Sequence, residues 1–293
     1  MTGATGVCPA GTVEVLRAGA LTTVQDLGRP GWAHLGVPRS GALDPAALRL
    51  ANRLVGNPET AAGLETTLAG CDLRLDRAGT VAVTGAQARV RVGDRPADVG
   101  RPIAVPAGTP VRIGPALHGV RSYVAVAGGV AVEPVLGSRA TDLLSGLGPP
   151  PVRDGDRLPL GTPAGVPAGV DVTVGGPFPT ELRLAVRLGP RDDWFTPEAV
   201  RLLLSTPYTV SPDSNRIGAR LTGAALPRAV AGELPSEGLV LGAVQVPADG
   251  QPLIFLADHP TTGGYPVVGV VTDVTALAQA RPGTTVRFYG PQR

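Results

Sequence analysis

Three stretches of the chain combine residue types that bind anions or carry protons. The first is VQDLGRPGWAHLGVPRSGALD, from Val24 to Asp44, and it contains Gln25, Asp26 and Arg29. Its glycines permit positive φ angles and let the backbone approach a ligand closely. Asp26 has the chemistry of a proton acceptor, and Arg29 can bind a carboxylate or phosphate through a planar fork. The alternative is a loop that these two side chains only tie down by hydrogen bonds.

The second stretch is SPDSNRIG, from Ser211 to Gly218. Asn215 tolerates the left-handed backbone region, and the Ser214 hydroxyl can bond a turn amide. Arg216 follows as the candidate for binding an anion. The plainer interpretation of this stretch by itself is a turn that carries a solvated arginine.

The third stretch is DHPTTGGYP, which begins at Asp258. Two threonine hydroxyls and two unobstructed glycine amides offer hydrogen-bond donors that suit an anion. The pattern is neither a Walker loop nor a dinucleotide fingerprint, and a hairpin tip explains it equally well. Asp258 and the histidine beside it are candidates for proton transfer. The candidate binding residues of this stretch are His259, Thr261, Thr262, Gly263, Gly264 and Tyr265.

Gln245 is a single polar residue in the otherwise apolar segment GAVQVP. A side-chain amide in such a strand either meets a buried partner or lines a site. Metal binding is not indicated, because the three histidines, His34, His118 and His259, lack ligand spacing. Cys71 follows a glycine and is expected to be a small core residue.

The composition excludes several classes of protein. The chain has 293 residues, a net charge of +2 and 3% aromatic residues, which do not indicate nucleic-acid binding. No apolar run approaches the ~20 residues of a membrane span, and no secretory signal is visible, so a cytoplasmic protein is expected. All 26 basic residues are arginine. Without lysine, this chain by itself can form no Schiff base, no Walker-A loop and no covalent link to biotin.

The elements that must hold the candidate residues are predicted to be mainly short β-strands. The sequence contains 41 glycines and 31 prolines, and turn residues separate strand-like segments at short intervals. VRVGDRPADVG indicates a hairpin around Gly93-Asp94, and a later strand is predicted at Asp171–Val174. Helices are few. Asp44-Pro45 and Thr196-Pro197 each combine a capping residue with proline at the first helical position, and a third helix is expected over Thr272–Ala280.

Two domains are predicted, over residues 12–177 and 178–293. Each half runs from a loop through a proline-initiated helix into strands, and each contains a short segment between a histidine and a tyrosine, His118–Tyr123 and His259–Tyr265. This loose likeness is compatible with a distant duplication. The glycine- and proline-rich segment Leu147–Gly169 is interpreted as a long excursion between the halves.

The longer motifs resemble those of the allophanate hydrolase subunit 2 family, which is also called the biotin-dependent carboxyltransferase family and includes the 5-oxoprolinase C subunits. The resemblance rests on TTVQDLGRPGWAHLGVPRSGALDPAALRLANRLVGN, SNRIGARLTG, LPSEGLVLGAVQVPADGQPLIFLADHPTTGGYP and LAQARPGTTVRF, in that order. It runs from Val13 to Phe288, nearly the whole chain. Several long motifs in sequence make it specific.

The resemblance implies two cyclophilin-like β-barrel domains, in agreement with the mainly β prediction. It implies a subunit of an ATP-dependent 5-oxoprolinase that opens the lactam of 5-oxoproline to L-glutamate and is active only in a complex. The implied partners are a second-subunit homologue, in a 2:2 hetero-oligomer that shares ATP and Mg, and a first-subunit protein. Two alternatives stay open: a biotin-dependent carboxyltransferase component, to which another protein brings biotin, and a regulatory protein that antagonises a kinase inhibitor.

Within the 5-oxoprolinase hypothesis, residue type suggests a role for each candidate. Arg29 and Arg216 are expected to hold the substrate carboxylate or the transferred phosphate. Asp26 is expected to take or hold the lactam proton, and Gln245 to orient the amide. The segment from Thr261 to Gly264 is expected to offer donors to an anion. The further binding candidates are Gln25, Ser214, Asn215, His259 and Tyr265.

Overall fold

The computed structural model describes residues 11–167, 178–232 and 234–290. The chain divides into two compact units. The first comprises Met1–Leu27, Pro45–Thr141 and Gly148–Gly176, and the second comprises Gly28–Asp44, Asp142–Leu147 and Pro177–Arg293. Two segments from the first half of the sequence therefore belong to the second unit. The predicted strand Asp171–Val174 lies outside the described residues, and the predicted boundary at 177–178 falls at their edge.

In its described residues, the first unit contains one α-helix, α1 (Pro45–Leu54), and the strands of a nine-stranded sheet. These strands are β1 (Gly11–Arg17), β2 (Leu21–Gln25), β3 (Gly63–Thr67), β4 (Asp72–Leu75), β5 (Gly79–Val92), β6 (Arg95–Ala97), β7 (Ile103–Val105), β8 (Pro110–Val126) and β9 (Arg157–Leu160). The order is β2-β3-β8-β4-β1-β9, and β5 pairs with β6, β7 and β8, so the sheet curls as a half-barrel. Alternating apolar residues of its strands form one core, and Ala51 and Leu54 of α1, with Val55 directly after the helix, cover part of the sheet.

The second unit is built on a closed barrel of seven strands. The strands of the unit, which include two outside the barrel, are β10 (Glu181–Leu188), β11 (Tyr208–Val210), β12 (Gly218–Thr222), β13 (Glu237–Gly238), β14 (Ala243–Gln245), β15 (Leu253–Phe255), β16 (Thr262–Gly263), β17 (Val267–Val271) and β18 (Thr285–Tyr289). The α-helix of the unit is α2 (Pro197–Ser205). The barrel order is β10-β17-β14-β15-β12-β11-β18, and β18 closes it by pairing in parallel with β10. The short strands β13 and β16 pair separately as a two-stranded ribbon.

The mainly β prediction is confirmed, and the local signals explain most of the elements. Val92 pairs with Arg95 across the predicted Gly93-Asp94 turn. The Thr196 side chain accepts a hydrogen bond from the Ala199 amide at 3.1 Å, as an N-cap does. The prediction of a third α-helix over 272–280 is wrong, because Thr275–Gln279 form a 3₁₀ helix. Five residues closed by the tight i→i+3 bonds of this geometry are typical of a connector between strands.

Candidate functional site

The carboxylate of Asp258 joins several segments of the second unit. Its Oδ1 accepts hydrogen bonds from Ser40 Oγ at 2.8 Å and Arg216 Nη2 at 2.9 Å. Its Oδ2 accepts from Arg216 Nε at 2.9 Å and from the Leu143 amide at 3.2 Å. Arg216 Nη2 also donates to the Gly41 carbonyl at 2.7 Å. Both charged side chains are 0% exposed, so this bidentate pair holds segments 28–44 and 142–147 to the barrel at low local dielectric.

Ser214 and Asn215 build the turn from which Arg216 enters the interior. Asn215 Oδ1 accepts from the amides of Ile217 at 2.8 Å and Gly218 at 3.2 Å, and Ser214 Oγ accepts from the Arg220 amide at 3.1 Å. The interpretation of Arg216 as a solvated arginine is therefore wrong. Because its guanidinium is buried and donates to Asp258 and Gly41, the geometry favours a positioning role for Arg216 over direct binding of an anion.

Gly28 and Ser40 shape the loop that precedes the first helix in the sequence. Gly28 has φ +83°, and a Cβ atom there would lie 2.6 Å from the carbonyl oxygens of Arg39 and Ser40. Only glycine fits such a close approach. Arg29 donates its amide to the Arg39 carbonyl at 2.8 Å and is 1% exposed. Ser40 has φ +52°, which is unfavourable for a residue with a Cβ atom, and its bond to Asp258 holds it there.

His259 follows Asp258 directly and is 7% exposed. Its Nδ1 lies 2.7 Å from the Pro260 carbonyl, which can only accept, so Nδ1 is the protonated nitrogen of the neutral ring and Nε2 keeps a lone pair. Burial lowers the pKa of His259, while the Pro260 carbonyl and the charges of Asp258 and Asp142 oppose that shift. A neutral imidazole with a free acceptor nitrogen is suited to take a proton.

Gln245 lies on β14 and is 5% exposed. Its Nε2 donates to the Tyr265 carbonyl at 3.0 Å, so the side chain meets a buried partner. A Cβ atom at Gly263 in the ribbon beside it would lie 2.7 Å from Leu239 Cδ1 and 2.9 Å from Gln245 Nε2, so the ends of these two side chains would have to move. Gln245 therefore fixes the segment that carries the candidate threonines and glycines.

The centre of the threonine–glycine segment forms one strand of the two-stranded ribbon. Thr262 and Gly263 form β16 and pair with Gly238 and Glu237 of β13. Thr262 and Gly264 are exposed, and Thr261 is half-buried. The Glu237 carboxylate accepts from Arg191 Nε at 2.9 and 3.0 Å, which lowers the pKa of Glu237 and offsets its charge.

Tyr265 continues from this ribbon and is 48% exposed. The guanidinium of Arg228 lies 5.9 Å from the centre of its ring, within the range of a cation–π contact. Arg228 Nη2 donates to the Val246 carbonyl at 2.8 Å. The ring of Tyr265 is therefore partly exposed, contacts the guanidinium of Arg228 and follows the exposed residues of the ribbon in the sequence.

Gln25 and Asp26 belong to the first unit, where β2 ends. Asp26 accepts from Ser138 Oγ and from the Arg139 amide, both at 2.6 Å. Gln25 is 0% exposed, and its Nε2 donates to the Thr141 carbonyl at 2.9 Å and to Thr23 Oγ1 at 3.1 Å. These bonds tie the end of β2 to the segment before residue 142, and they favour a structural role for Asp26 over proton transfer.

The second unit thus brings together Ser40, Arg216, Asp258 and His259 through direct bonds or adjacency in sequence. Sequence reasoning did not find Ser40 or Ser138, because an isolated serine carries no signal of its partner. Asp142 was also missed, although the sequence TDLLSG combines an aspartate with a turn. The described residues contain no group of three or more His, Cys, Asp or Glu side chains that could hold a metal ion. No helix in the described ranges is long and apolar enough to cross a membrane.

A family model of the carboxyltransferase domain, subdomains A and B, matches residues 35–290. The chain belongs to the carboxyltransferase-domain family. It is 39% identical over 284 residues to the 5-oxoprolinase C subunit of Escherichia coli K12. The aligned region covers 94% of this chain and 90% of that protein. A carboxyltransferase-domain relative with a different name is the urea amidolyase of Lachancea kluyveri, 33% identical over 94% of this chain but only 17% of that protein.

Solved structures of the carboxyltransferase-domain family share the fold. The crystal structure of TTHA0988 matches with a TM-score of 0.86 and 38% identity over 96% of this chain. This chain spans 56% of that longer chain. The Kluyveromyces lactis urea carboxylase also matches with a TM-score of 0.86, at 29% identity over 97% of this chain and 28% of that enzyme. The resemblance read from the sequence motifs is therefore confirmed.

Proposed function

We propose that this chain is the C subunit of a 5-oxoprolinase complex that uses ATP to open the lactam of 5-oxoproline to L-glutamate. The observation that carries the proposal is the 39% identity to the 5-oxoprolinase C subunit of Escherichia coli over 90% of that protein's length. A second protein of that name, from Haemophilus influenzae, is 32% identical over 94% of this chain. In the urea amidolyase relative, by contrast, the matching region is a small part of a larger protein.

The chemistry requires activation, because a lactam is a stable amide. In the proposed reaction the ring carbonyl oxygen takes the terminal phosphoryl group of ATP, and ADP leaves. A first water then adds to the ring carbon, the carbon–nitrogen bond breaks, and the ring nitrogen takes a proton, which leaves an acyl phosphate. A second water releases phosphate and completes glutamate. One ATP and two waters are consumed for each lactam opened.

His259 is the residue of this chain that fits the proton transfer. Its Nε2 lone pair takes a proton from the attacking water, and the resulting imidazolium returns it to the departing nitrogen. The bond from Nδ1 to the Pro260 carbonyl holds the ring in the required tautomer. The buried Arg216–Asp258 pair next to it is proposed to position His259 rather than to contact the substrate.

The exposed donors of Thr262 and Gly264 are proposed to face the phosphate or the substrate carboxylate. Glu237 on the neighbouring strand does not oppose an anion strongly, since Arg191 pairs with it. Arg29 stays a proposed anion-binding residue, although its burial favours an indirect contribution. ATP and Mg are proposed to be shared with a second-subunit partner in a 2:2 assembly within the cytoplasm, and a first-subunit protein completes the enzyme.

A carboxyltransferase component is the second candidate function. The match to the Kluyveromyces lactis urea carboxylase favours it, because that enzyme contains the same fold over 97% of this chain. In this case the chain passes a carboxyl group from biotin to an amide nitrogen. Since the sequence contains no lysine, the biotin is attached outside these 293 residues.

The test is reconstitution with the candidate partner subunits. Release of ADP and formation of glutamate are measured with 5-oxoproline and ATP, and this chain is omitted as the control. We expect 5-oxoproline-dependent ATP hydrolysis only when all subunits are present. An assembled complex that hydrolyses no ATP with 5-oxoproline contradicts the proposal, and urea-dependent consumption of carboxybiotin by the same complex would establish the second candidate.

A further inference from the structure

Asp142 is a buried carboxylate of the second unit whose two oxygens have different surroundings. It begins the segment 142–147 and is 2% exposed. Its Oδ1 accepts hydrogen bonds from the amides of Leu144 at 2.9 Å and Ser145 at 3.0 Å. Its own amide donates to the Leu147 carbonyl at 2.9 Å, and its carbonyl accepts from the Gly146 amide at 3.1 Å. The backbone and Oδ1 of Asp142 are therefore held rigidly by the turn that follows.

The other oxygen, Oδ2 of Asp142, is buried and has no hydrogen-bond partner among the residues that the structure describes. A carboxylate oxygen that is removed from water without a donor is strongly unfavourable, and buried polar groups in native proteins almost always have partners. The turn does not need this oxygen, because Oδ1 alone accepts the two turn amides. Oδ2 is thus a preorganised acceptor that suits a donor from outside the fold.

The position of Asp142 places this acceptor near the proposed site. The amide of the next residue, Leu143, donates to Asp258 Oδ2 at 3.2 Å, and His259 follows Asp258 in the sequence. The negative charge of Asp142 acts on the His259 ring and raises its pKa, against the larger effect of burial. Two acceptors, Asp142 Oδ2 and His259 Nε2, therefore belong to residues that directly adjoin the Leu143–Asp258 bond in the sequence.

We propose that Asp142 Oδ2 binds the N–H group of an amide or ureide substrate. The inference rests on the proposed function, in which the substrate is a lactam, and it names the residue that recognises the reacting nitrogen. A hydrogen bond from the lactam N–H to a fixed carboxylate raises the electron density on the ring carbonyl oxygen, the atom that attacks the phosphoryl group. A substrate without an N–H donor leaves the buried oxygen unpartnered and is rejected.

The substitution Asp142→Asn distinguishes the roles of the two carboxylate oxygens. Asparagine keeps one carbonyl oxygen to accept from the Leu144 and Ser145 amides, while the other position becomes an N–H donor. The matched control is Asp273→Asn, since Asp273 Oδ1 likewise accepts from an amide two residues ahead, that of Thr275 at 2.8 Å, in an exposed turn of the same unit. Thermal melting of both variants reports whether the fold is retained.

The decisive measurement is discrimination between ligands with and without an N–H group. Calorimetry on the assembled complex compares 5-oxoproline with N-methyl-5-oxoproline, and a second pair compares urea with tetramethylurea, which has no N–H group. We expect the wild-type complex to prefer 5-oxoproline by about 10- to 100-fold, the range of a hydrogen bond to a charged group. Asp142→Asn is expected to reduce this preference about tenfold or more and to raise KM, whereas Asp273→Asn leaves both unchanged.

The outcomes distinguish this inference from the proposed function. Turnover of 5-oxoproline with undiminished N–H preference in Asp142→Asn overturns the inference and leaves the function intact. A wild-type complex without N–H preference in either ligand pair overturns the inference even if the variant fails to fold. Preference within the urea pair alone, lost in the variant, supports the inference and overturns the 5-oxoproline proposal. A wild-type complex that binds none of the four ligands overturns both.

Discussion

Replacing Asp258 with asparagine is expected to destabilise the second unit far more than an ordinary surface substitution. Asp258 Oδ1 and Oδ2 accept four hydrogen bonds, from Ser40, Leu143 and two nitrogens of Arg216. Asparagine offers one oxygen and turns the other position into a donor, which faces further donors. The Arg216 guanidinium stays 0% exposed and loses its counter-charge. Breaking a buried pair on one side costs about 3–5 kcal/mol.

The double variant Arg216→Met with Asp258→Asn tests the cause of this loss. It removes the buried charge, but the single oxygen of the asparagine can replace only one of the two acceptors used by Ser40 and Leu143, and the Gly41 carbonyl loses the donor that Arg216 supplied. We therefore expect the double variant to be less destabilised than the sum of the two single variants, by about 1–3 kcal/mol, yet still less stable than the wild type.

Urea unfolding followed by tryptophan fluorescence is the appropriate assay. Both tryptophans, Trp32 and Trp194, belong to the second unit, so their signal reports on it. A loss of 3–5 kcal/mol corresponds to a shift of the midpoint by about 1–5 M urea. Glu181→Gln is the control, because Glu181 pairs with Arg287 at 3.3 Å in the same unit with both side chains nearly half exposed, and such pairs contribute about 0–1 kcal/mol. An Asp258→Asn variant within ~1 kcal/mol of the wild type would refute the reasoning.

Further predictions follow from other contacts. Gly28→Ala should lose about 2–4 kcal/mol of unfolding free energy, because it adds a clash with the backbone to a positive φ. The control Gly31→Ala, at φ +96° with nothing within 4 Å, should lose only about 1 kcal/mol. Equal losses of unfolding free energy in the two variants would contradict the clash at Gly28. The pKa of His259 in the folded protein lies below 6.5, so as the pH falls the unfolded chain binds the proton first. The free energy of unfolding should therefore decrease as the pH drops below about 6.5, and it should decrease less in His259→Gln. An identical pH dependence of stability in the wild type and the variant would refute this. Burial raises the pKa of Cys71 to about 12, so in a Cys8→Ser background thiol reagents at pH 8 should label it only on unfolding; labelling of folded protein at the rate of a free thiol contradicts that.

The strands were predictable because their signals are local. Turn residues separate strand-like segments at short intervals in the sequence, and the structure is built largely from short strands. The hairpin at Gly93-Asp94 and the cap at Thr196 also depend only on neighbouring residues. The third predicted helix was wrong, because propensity does not separate a short 3₁₀ connector from an α-helix.

The candidate site was only partly predictable, since its bonds join residues far apart in the chain. Residue type identified Arg216 and His259 as candidates. It did not indicate that Asp258 binds Arg216, or that Ser40, which lies 218 residues before Asp258, donates a hydrogen bond to the same carboxylate. The expected roles of Asp26 and Gln245 in direct chemistry stay predictions, and both side chains are engaged by partners. Whether a polar side chain binds a ligand or the protein depends on what the fold places opposite it.

The sequence by itself determined the family, the mainly β architecture and the absence of lysine chemistry, because motifs, turns and composition are properties of the linear chain. Only the tertiary structure decided that residues 28–44 and 142–147 belong to the second unit. It also decided that Arg216 is a buried partner of Asp258, and that Asp142 uses one carboxylate oxygen for its turn while the other is buried without a donor among the described residues. Burial and hydrogen-bond partners are set by non-local packing, which no short stretch of sequence encodes.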